Sequence, residues 1–305
     1  MNQPFFNRLL HLLNEQPQQG KRMVGLGADA LWELWQRIVE VERGQRYQQA
    51  QRLGRKRQAG GGRKKDAEVL CRLLVTLIYL RQHWTMQVIA QTIECAESTV
   101  WNYIHEMILH IRTELPASLL EQWQQDCSSV ERAELEEWLA QLPAGDLLVD
   151  TWEQPIPRPS GDQEQQEYYS GKQKKHTCKN QAITLASGLD LVDVVIGEKG
   201  PRSDSKLFEQ TQSELPQSLS FIGDKAYVGC RQTTTPQKKP PFGTLTQEQK
   251  EFNRHLSQKR VFIEHVIRVI KIFRVAKQVF RMRLRMYEMV IGCVCGLVRL
   301  RVQYS

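Results

Sequence analysis

The sequence predicts an all-α front part followed by a mixed α/β domain. Three observations point there. In the first 112 residues apolar side chains recur at helical spacing, as in Leu31, Leu34, Trp35, Ile38 and Val39, then Val69, Leu70, Leu73, Leu74, Leu77 and Ile78. From residue 146 the pattern changes to short apolar runs closed by turn residues: LLVDTW, TCKNQAITLAS, LDLVDVVIG and SLSFIGD. Between the two regimes the charge reverses: residues 43–65 hold nine Lys/Arg and no acid, whereas 114–137 hold seven acids against Arg132.

Residues 5–16 and 28–50 are expected to be helical. The basic stretch 43–65, with Gly60, Gly61 and Gly62, reads as a flexible arm. Either it contacts phosphate, through Arg55, Lys56 and Arg57 among others, or it is a solvated tether. In residues 66–112, Thr85 is the expected N-cap of MQVIAQTI, and Ser98 that of TVWNYIHEMILHI after the short break ECAES. Two helices joined so tightly describe a helix-turn-helix. Its second helix would present Glu97, Ser98, Thr99, Trp101 and Asn102 to a major groove, or the module is only a trihelical packing unit. The acidic stretch reads as a helical connector. Provisional boundaries are 1–60 (N-terminal helices and arm), 61–115 (helix-turn-helix), 116–143 (connector), 144–280 (α/β domain) and 281–305 (a C-terminal helix expected to pack on the α/β domain, or else to make a dimer contact).

In the α/β part, TCKNQAITLAS and LDLVDVVIG form an expected hairpin about Gly188. SDSKLFEQTQSEL is an expected helix capped by Ser203, residues 231–245 a loop, and LTQEQKEFNRHLSQKRVFIEHVIRVIKIFRV a long helix with Phe262, Val266, Val269, Ile270 and Phe273 on one face. Leu147, Leu148 and Val149 lead to Asp150, which is taken to end a strand, with Pro155 and Pro157 beyond. Leu219, Phe221 and Ile222 lead through Gly223 to Asp224. Glu264 is the lone acid among ten Lys/Arg between Arg254 and Arg285. It either pairs with Arg260 or Arg268 at four-residue spacing, or joins the two aspartates. Three convergent carboxylates repel one another unless divalent cations lie between them, and oxygen ligands with substrate phosphate suit Mg²⁺. Two ions so held serve in-line phosphoryl displacement. Among the other acids (Asp146, Asp190, Asp193, Glu198, Asp204), Asp193 is the closest rival ligand.

The matching pieces LLVDTWEQPIPRP, YYSGKQKKHTCKNQAI, GPRSDSKLF, FIGDKAYVG and NRHLSQKRVFIEHVIRVIK, in this order between residues 66 and 275, resemble the DDE transposases of bacterial insertion sequences, in the family 5 branch related to Harbinger elements. The resemblance implies an RNase H-like catalytic fold. It implies Asp150, Asp224 and Glu264 as ligands of two Mg²⁺ ions, with Mn²⁺ as a substitute, and Arg260 and Lys271 as assisting residues in an Arg-x3-Glu-x6-Lys pattern. It further implies cleavage of transposon ends and transfer of the freed 3′-hydroxyl to target DNA, by a homodimer or higher oligomer. Ser257 stands where related transposases carry a tyrosine, and Ser203 where many carry a histidine, so those two roles do not carry over. A DNA-binding regulator without catalysis, a nuclease that cuts without joining, and a protein that uses its helix-turn-helix only for packing are the rival readings.

The net charge of +8 and isoelectric point near 9.1 favour an anionic partner, double-stranded DNA first. Lys172, Lys174, Lys175 and Lys225 are candidate backbone contacts, and Trp152, Tyr168 and Tyr169 candidate base-stacking residues. Seven scattered cysteines without a CxxC pair indicate reduced thiols, with Cys293 and Cys295 in a core. No signal peptide or bilayer-spanning run is read, and a cytoplasmic, nucleoid-associated protein is expected.

Overall fold

A computed structural model of the chain describes residues 3–52, 63–126, 134, 137–139, 141 and 145–304. It divides into two compact units, Met1–Pro116 with Ile272–Ala276 and Gly292–Ser305, and Ala117–Lys271 with Lys277–Ile291.

The first unit is helical. Helices α1 (Gln3–Glu15), α2 (Pro17–Val24), α3 (Ala28–Arg52), α4 (Arg63–Gln82), α5 (Met86–Ile93) and α6 (Glu97–Glu114) follow in order. The N- and C-terminal ends of the basic stretch are therefore helical turns of α3 and α4, a correction to the flexible arm. Arg43 pairs with Asp66 at 2.5 Å. Arg55, Lys56 and Arg57 lie outside the described residues. Helix α4 is buried on almost every side, through Val69, Leu73, Leu74, Val75, Leu77, Ile78 and Leu80, as expected of a helix at the centre of a helical unit.

The last helix, α11 in a numbering that counts four more helices introduced below, spans Tyr287–Gln303. Its first residues, Tyr287–Ile291, belong to the α/β unit as expected, whereas its part from Gly292 onward belongs to this helical unit, which corrects the expected packing for the rest of the helix. The reason is steric. A Cβ at Gly292 would stand 2.7 Å from Arg112 Nε, and one at Gly296 2.6 Å from the Leu115 carbonyl oxygen, so the two glycines let the helix lie against the end of α6. Arg299 and Arg301 then donate to the Pro116 and Gly25 carbonyls at 3.0 and 2.9 Å. Cys293 and Cys295 are fully buried, as expected.

The second unit is a six-stranded mixed sheet with helices: α7 (Leu119–Asp126), β1 (Leu147–Pro155), α8 (Asp162–Tyr168), β2 (Tyr169–Ser170), β3 (Lys175–Thr184), β4 (Leu191–Lys199), α9 (Asp204–Glu214), β5 (Phe221–Ile222), β6 (Thr233–Thr234) and α10 (Gln247–Ile272). The order is β2-β3-β1-β5-β6, with β4 also on β3. β3 is antiparallel to β1 and β4, whereas β5 runs parallel to β1 and β6 parallel to β5. The architecture is thus the α/β one that the sequence predicts, with the hairpin β3–β4 and the Ser203 cap, whose Oγ accepts from Lys206 N at 3.2 Å, where expected. The acidic connector contributes to this unit: Trp123 of α7 and Leu139 join Leu147, Val149, Ile183, Phe208 and Tyr227 in its core.

Two local expectations change. Asp150 does not end its strand, because the antiparallel partner β3 carries β1 on to Pro155, paired with Thr177. On α10 the buried stripe is Leu256, Ile263, Val266, Ile267 and Ile270, and Phe262 faces solvent.

Candidate active site

The sheet register brings the two aspartates together. Leu148 of β1 is level with Ile222 of β5 in the parallel pair. Asp150 stands two residues further along β1, and Asp224 two residues beyond Ile222 in extended backbone just past the end of β5, so the row, continued by the period-two alternation, sets the two acids side by side. Gly223, before Asp224, donates to Thr234 O at 3.1 Å, which continues the pairing past β5. Asp224 then caps the 3₁₀ turn Lys225–Tyr227, its Oδ1 accepting from Ala226 N at 2.7 Å. Asp150 is half-buried, and its Oδ1 accepts from its neighbour Thr151 N at 2.8 Å.

Helix α10 supplies the third acid. Arg260 and Glu264 are four residues apart and Lys271 seven further, a spacing that returns to one stripe of a helix. Arg260 Nη2 stands 3.7 Å from Asp150 Oδ2 and 3.7 Å from Glu264 Oε1. One residue earlier, Lys259 Nζ reaches Asp146 Oδ2 at 3.5 Å. Burial first, and then the negative charges of Asp224 and Glu264, push the Asp150 carboxyl up to about 6, against the opposing pull of Thr151 N–H and Arg260. Burial also lowers the Lys271 ammonium, which the charge of Asp150 partly offsets. All five groups named from the sequence thus feel one another or share a stripe of α10.

The rival ligand Asp193 lies elsewhere. Asp150 is level with Ala182 and Val194 across β1, β3 and β4, and Val149 with Ile183 and Asp193. Neighbouring rows point to opposite faces, so Asp193 is on the face of Val149, near Glu121 and Glu214. Burial and those acids push it up to about 6. Asp204 is taken by Lys179, whose Nζ donates to it at 2.6 Å and also to the Arg202 carbonyl. This buried pair escaped sequence reasoning, although a lysine inside the otherwise buried β3 was the signal for it.

Among the described residues, the group of three whose ligand atoms all lie within 4.8 Å of one another is Glu42, Glu106 and His110, in the helical unit. Its centre already holds a cation: the Arg72 guanidinium is 2.8 Å from both carboxylates. Asp150, Asp224 and Glu264 are spread more widely than that. Their donors are all carboxylate oxygens, the set that hard divalent cations prefer.

In the helix-turn-helix, Thr85 caps α5 as expected, its Oγ1 accepting from Val88 N at 3.2 Å. Glu94 takes a left-handed conformation, φ 54°, and closes the turn. Helix α6 starts at Glu97 with Ala96 as N-cap and no side-chain cap bond. Ser98 is therefore the second helical residue, a correction. Ser98, Trp101 and Asn102 are exposed and Thr99 is partly so, with the Trp101 indole stacked on the His105 ring at 3.8 Å. Lys172, Lys174 and Lys175 are exposed at the turn into β3, and Lys225 is exposed beside Asp224. Tyr169 is exposed and Tyr168 partly so, but Trp152 is buried in the sheet and offers no face for a base.

A mixed sheet carries the paired aspartates, a helix adds a glutamate with two basic residues, and a separate helix-turn-helix precedes them. Comparison with known families names the class. Residues 149–299 match the family of DDE superfamily endonucleases, and residues 71–117 match the helix-turn-helix of DDE superfamily endonucleases. The chain belongs to the DDE superfamily of endonucleases. Over 165 residues it is 33% identical to a probable transposase for insertion sequence element IS702 of Microchaete diplosiphon, an alignment that covers 52% of this chain and 59% of that protein. No solved structure matches it. Among the described residues, no helix is long and apolar enough to cross a membrane.

Proposed function

We propose that the chain is a transposase that binds the terminal inverted repeats of its own element and cuts and joins DNA with Asp150, Asp224 and Glu264. The observation that carries this reading is the parallel register of β1 and β5, which sets Asp150 beside Asp224, with Arg260 between Asp150 and Glu264.

The residues fit divalent cations. An isolated Arg260 at 3.7 Å, too far to hydrogen-bond, leaves the carboxylate oxygens of Asp150 and Glu264 with coordination to spare. Burial raises the Asp150 carboxyl first and the charges of Asp224 and Glu264 add to it, so a cation among these acids would stabilise the ionised form. Their spread suits two ions, which stand roughly 4 Å apart in such sites, better than one. Asp150, Asp224 and Glu264 would hold them. Mg²⁺, or Mn²⁺ in its place, supplies Lewis acidity to the scissile phosphate and lowers the pKa of the attacking water or hydroxyl.

The chain's own groups do the rest. At 3.7 Å the Arg260 Nη2 makes no hydrogen bond to Asp150 or Glu264, so its N–H groups would be left for a phosphate oxygen. Lys271, half-buried near Asp150, provides a compact second cation. Lys172, Lys174, Lys175 and Lys225 hold the sugar–phosphate backbone, with Arg55, Lys56 and Arg57 as further contacts. Ser98, Thr99, Trp101 and Asn102 face the bases of the major groove from the first turns of α6. Two ends are paired by a dimer or higher oligomer on DNA.

The test is strand cleavage and joining on the DNA that flanks the gene, with Mg²⁺ and with EDTA, beside the Asp224→Ala protein. Metal-dependent nicks and joined products, both absent with the variant, are expected. Cutting without joining would replace the transposase by a nuclease. Binding of the terminal repeats by both proteins without cutting by either would replace it by a regulator.

A further inference from the structure

We infer that Phe242 is a wedge that enters the duplex and unstacks a base step at the DNA end being processed; the inference rests on the transposase reading above. Between β6 and α10 the chain makes the loop 235–246, read from the sequence only as a loop. At its tip Phe242 is completely exposed, 103% of the reference area, the most exposed large apolar side chain among the described residues. A phenyl ring in water with no neighbour to cover it is unfavourable, and here the chain holds it there by construction.

The loop is braced at its base. Gln237 N donates to Asn253 Oδ1 at 2.8 Å, and Asn253 Nδ2 donates back to Gln237 O at 3.1 Å, so a side chain of α10 clamps the loop's entry. Thr246 and Gln249 close its exit as a capping box, Gln249 N donating to Thr246 Oγ1 at 3.2 Å and Thr246 N to Gln249 Oε1 at 2.9 Å. Pro240 and Pro241 fix two consecutive φ angles just before the tip, and Gly243 follows it, where an added Cβ would meet Pro240. The ring is thus presented on a stiffened support, at low further entropy cost for insertion.

Charge names the partner. Residues 225–247 carry Lys225, Arg231, Lys238 and Lys239 and no acid, and Lys238 and Lys239 are exposed immediately before the prolines. An apolar ring flanked by lysines on a braced loop suits a polyanion with flat, stackable faces inside, which is a nucleic acid duplex. Lysines grip the phosphates while the ring slips between base pairs. A protein partner would be expected to cover more than one isolated ring. The loop also joins the segment that carries Asp224 to the helix that carries Glu264, in the same compact unit. Its exit lies about 26 Å along α10 from Glu264, so a wedge there would distort the duplex several base pairs along from the scissile phosphate.

The experiment is permanganate oxidation of thymines in duplexes made from the terminal repeats that flank the gene, with the full chain, beside Phe242→Ala and Phe242→Trp. Affinity for the same duplexes is followed by fluorescence anisotropy. Expected are thymines that become reactive with the native chain and with Phe242→Trp, and that lose their enhancement about tenfold with Phe242→Ala, while the helix-turn-helix keeps the duplex bound. Equal reactivity with all three proteins, or none with any protein that still binds and nicks, overturns the wedge and leaves the transposase reading standing. Absence of binding by the native chain overturns both. Because the ring touches nothing in the folded chain, Phe242→Ala is expected to melt as the native protein does, and a lowered melting temperature would reassign Phe242 to the fold.

Discussion

Arg260 keeps its guanidinium 3.7 Å from the carboxylate of Asp150, on the buried side of the site, while α10 carries it there from solvent. At that distance it is a charge neighbour rather than a hydrogen-bond donor. It tempers the repulsion among the acids, and on the transposase reading it binds an incoming phosphate. Arg260→Ala is therefore expected to lower strand cleavage by about a hundredfold, an effect of the size typical for one electrostatic donor. Arg260→Lys should recover only part, since an ammonium cannot span two acceptors as a guanidinium does. Single-turnover cleavage at saturating protein checks it. Unchanged rates would remove Arg260 from the reaction.

Metal binding has a readout independent of activity. Mg²⁺ should raise the melting temperature of the native chain, because a cation that binds only the folded acids stabilises by linkage. The same ion should do little for Asp150→Asn or for Asp224→Asn. An equal shift in all three proteins would place the ions elsewhere, and Glu42, Glu106 and His110 would be the next group to test, although Arg72 already fills it.

Asp193 gives a pH prediction. Its folded carboxyl is pushed up to about 6, above the usual carboxylate value, by burial and by Glu214 and Glu121. The protonated form is thus favoured by folding. The relative stability this confers is fully present below the unfolded pKa near 4 and is lost as pH rises through about 6. Asp193→Asn keeps an oxygen to accept from Val194 N and removes the charge. It should melt at a higher temperature than the native chain at pH 8 and equally at pH 4, by an amount of order 2 kcal/mol. A gain of the same size at both pH values would mean that charge is not the cause.

The glycines of α11 make a structural prediction. Gly296→Val should destabilise the helical unit by about 1–3 kcal/mol, the range for overpacking a tight contact, because its Cβ would fall 2.6 Å from the Leu115 carbonyl. Thermal unfolding followed by circular dichroism measures it. A neutral outcome would show that the end of α6 can retreat.

On α6, Trp101→Ala and Asn102→Ala should leave folding intact, since both side chains are exposed. Each should cost about tenfold in affinity for terminal-repeat DNA, within the range for a base contact. Loss of affinity for all duplexes alike would assign them to the phosphate backbone.

The acids were legible in the sequence because an apolar run closed by a carboxylate is rare without a purpose. Their juxtaposition was not, since it depends on the pairing of a strand as short as Phe221–Ile222 with β1. Local signals misled where a neighbour had the final word. Ser98 is the better capping residue, but the left-handed turn at Glu94 starts the helix at Glu97. Phe262 follows the helical period nearly as well as Ile263, one step of roughly 100° around the helix, and only the sheet decides which of them is covered. Helix α11 has a broad apolar face, which announced burial without naming the surface that receives it. Asp193 looked like a ligand because a sequence does not say which face of a sheet a strand residue takes.

The helical unit closes its core with residues 292–305, which are made long after α4 and α6. Sequential folding during synthesis, from the N-terminal domain onward, therefore cannot finish the part that holds the helix-turn-helix first. That part must wait, incomplete, until the strands carrying Asp150 and Asp224 and the helix carrying Glu264 have all been translated. A chain interrupted before residue 292 would lack one wall of its helical unit, so, on the proposed function, prematurely terminated products should be poor competitors for the terminal repeats.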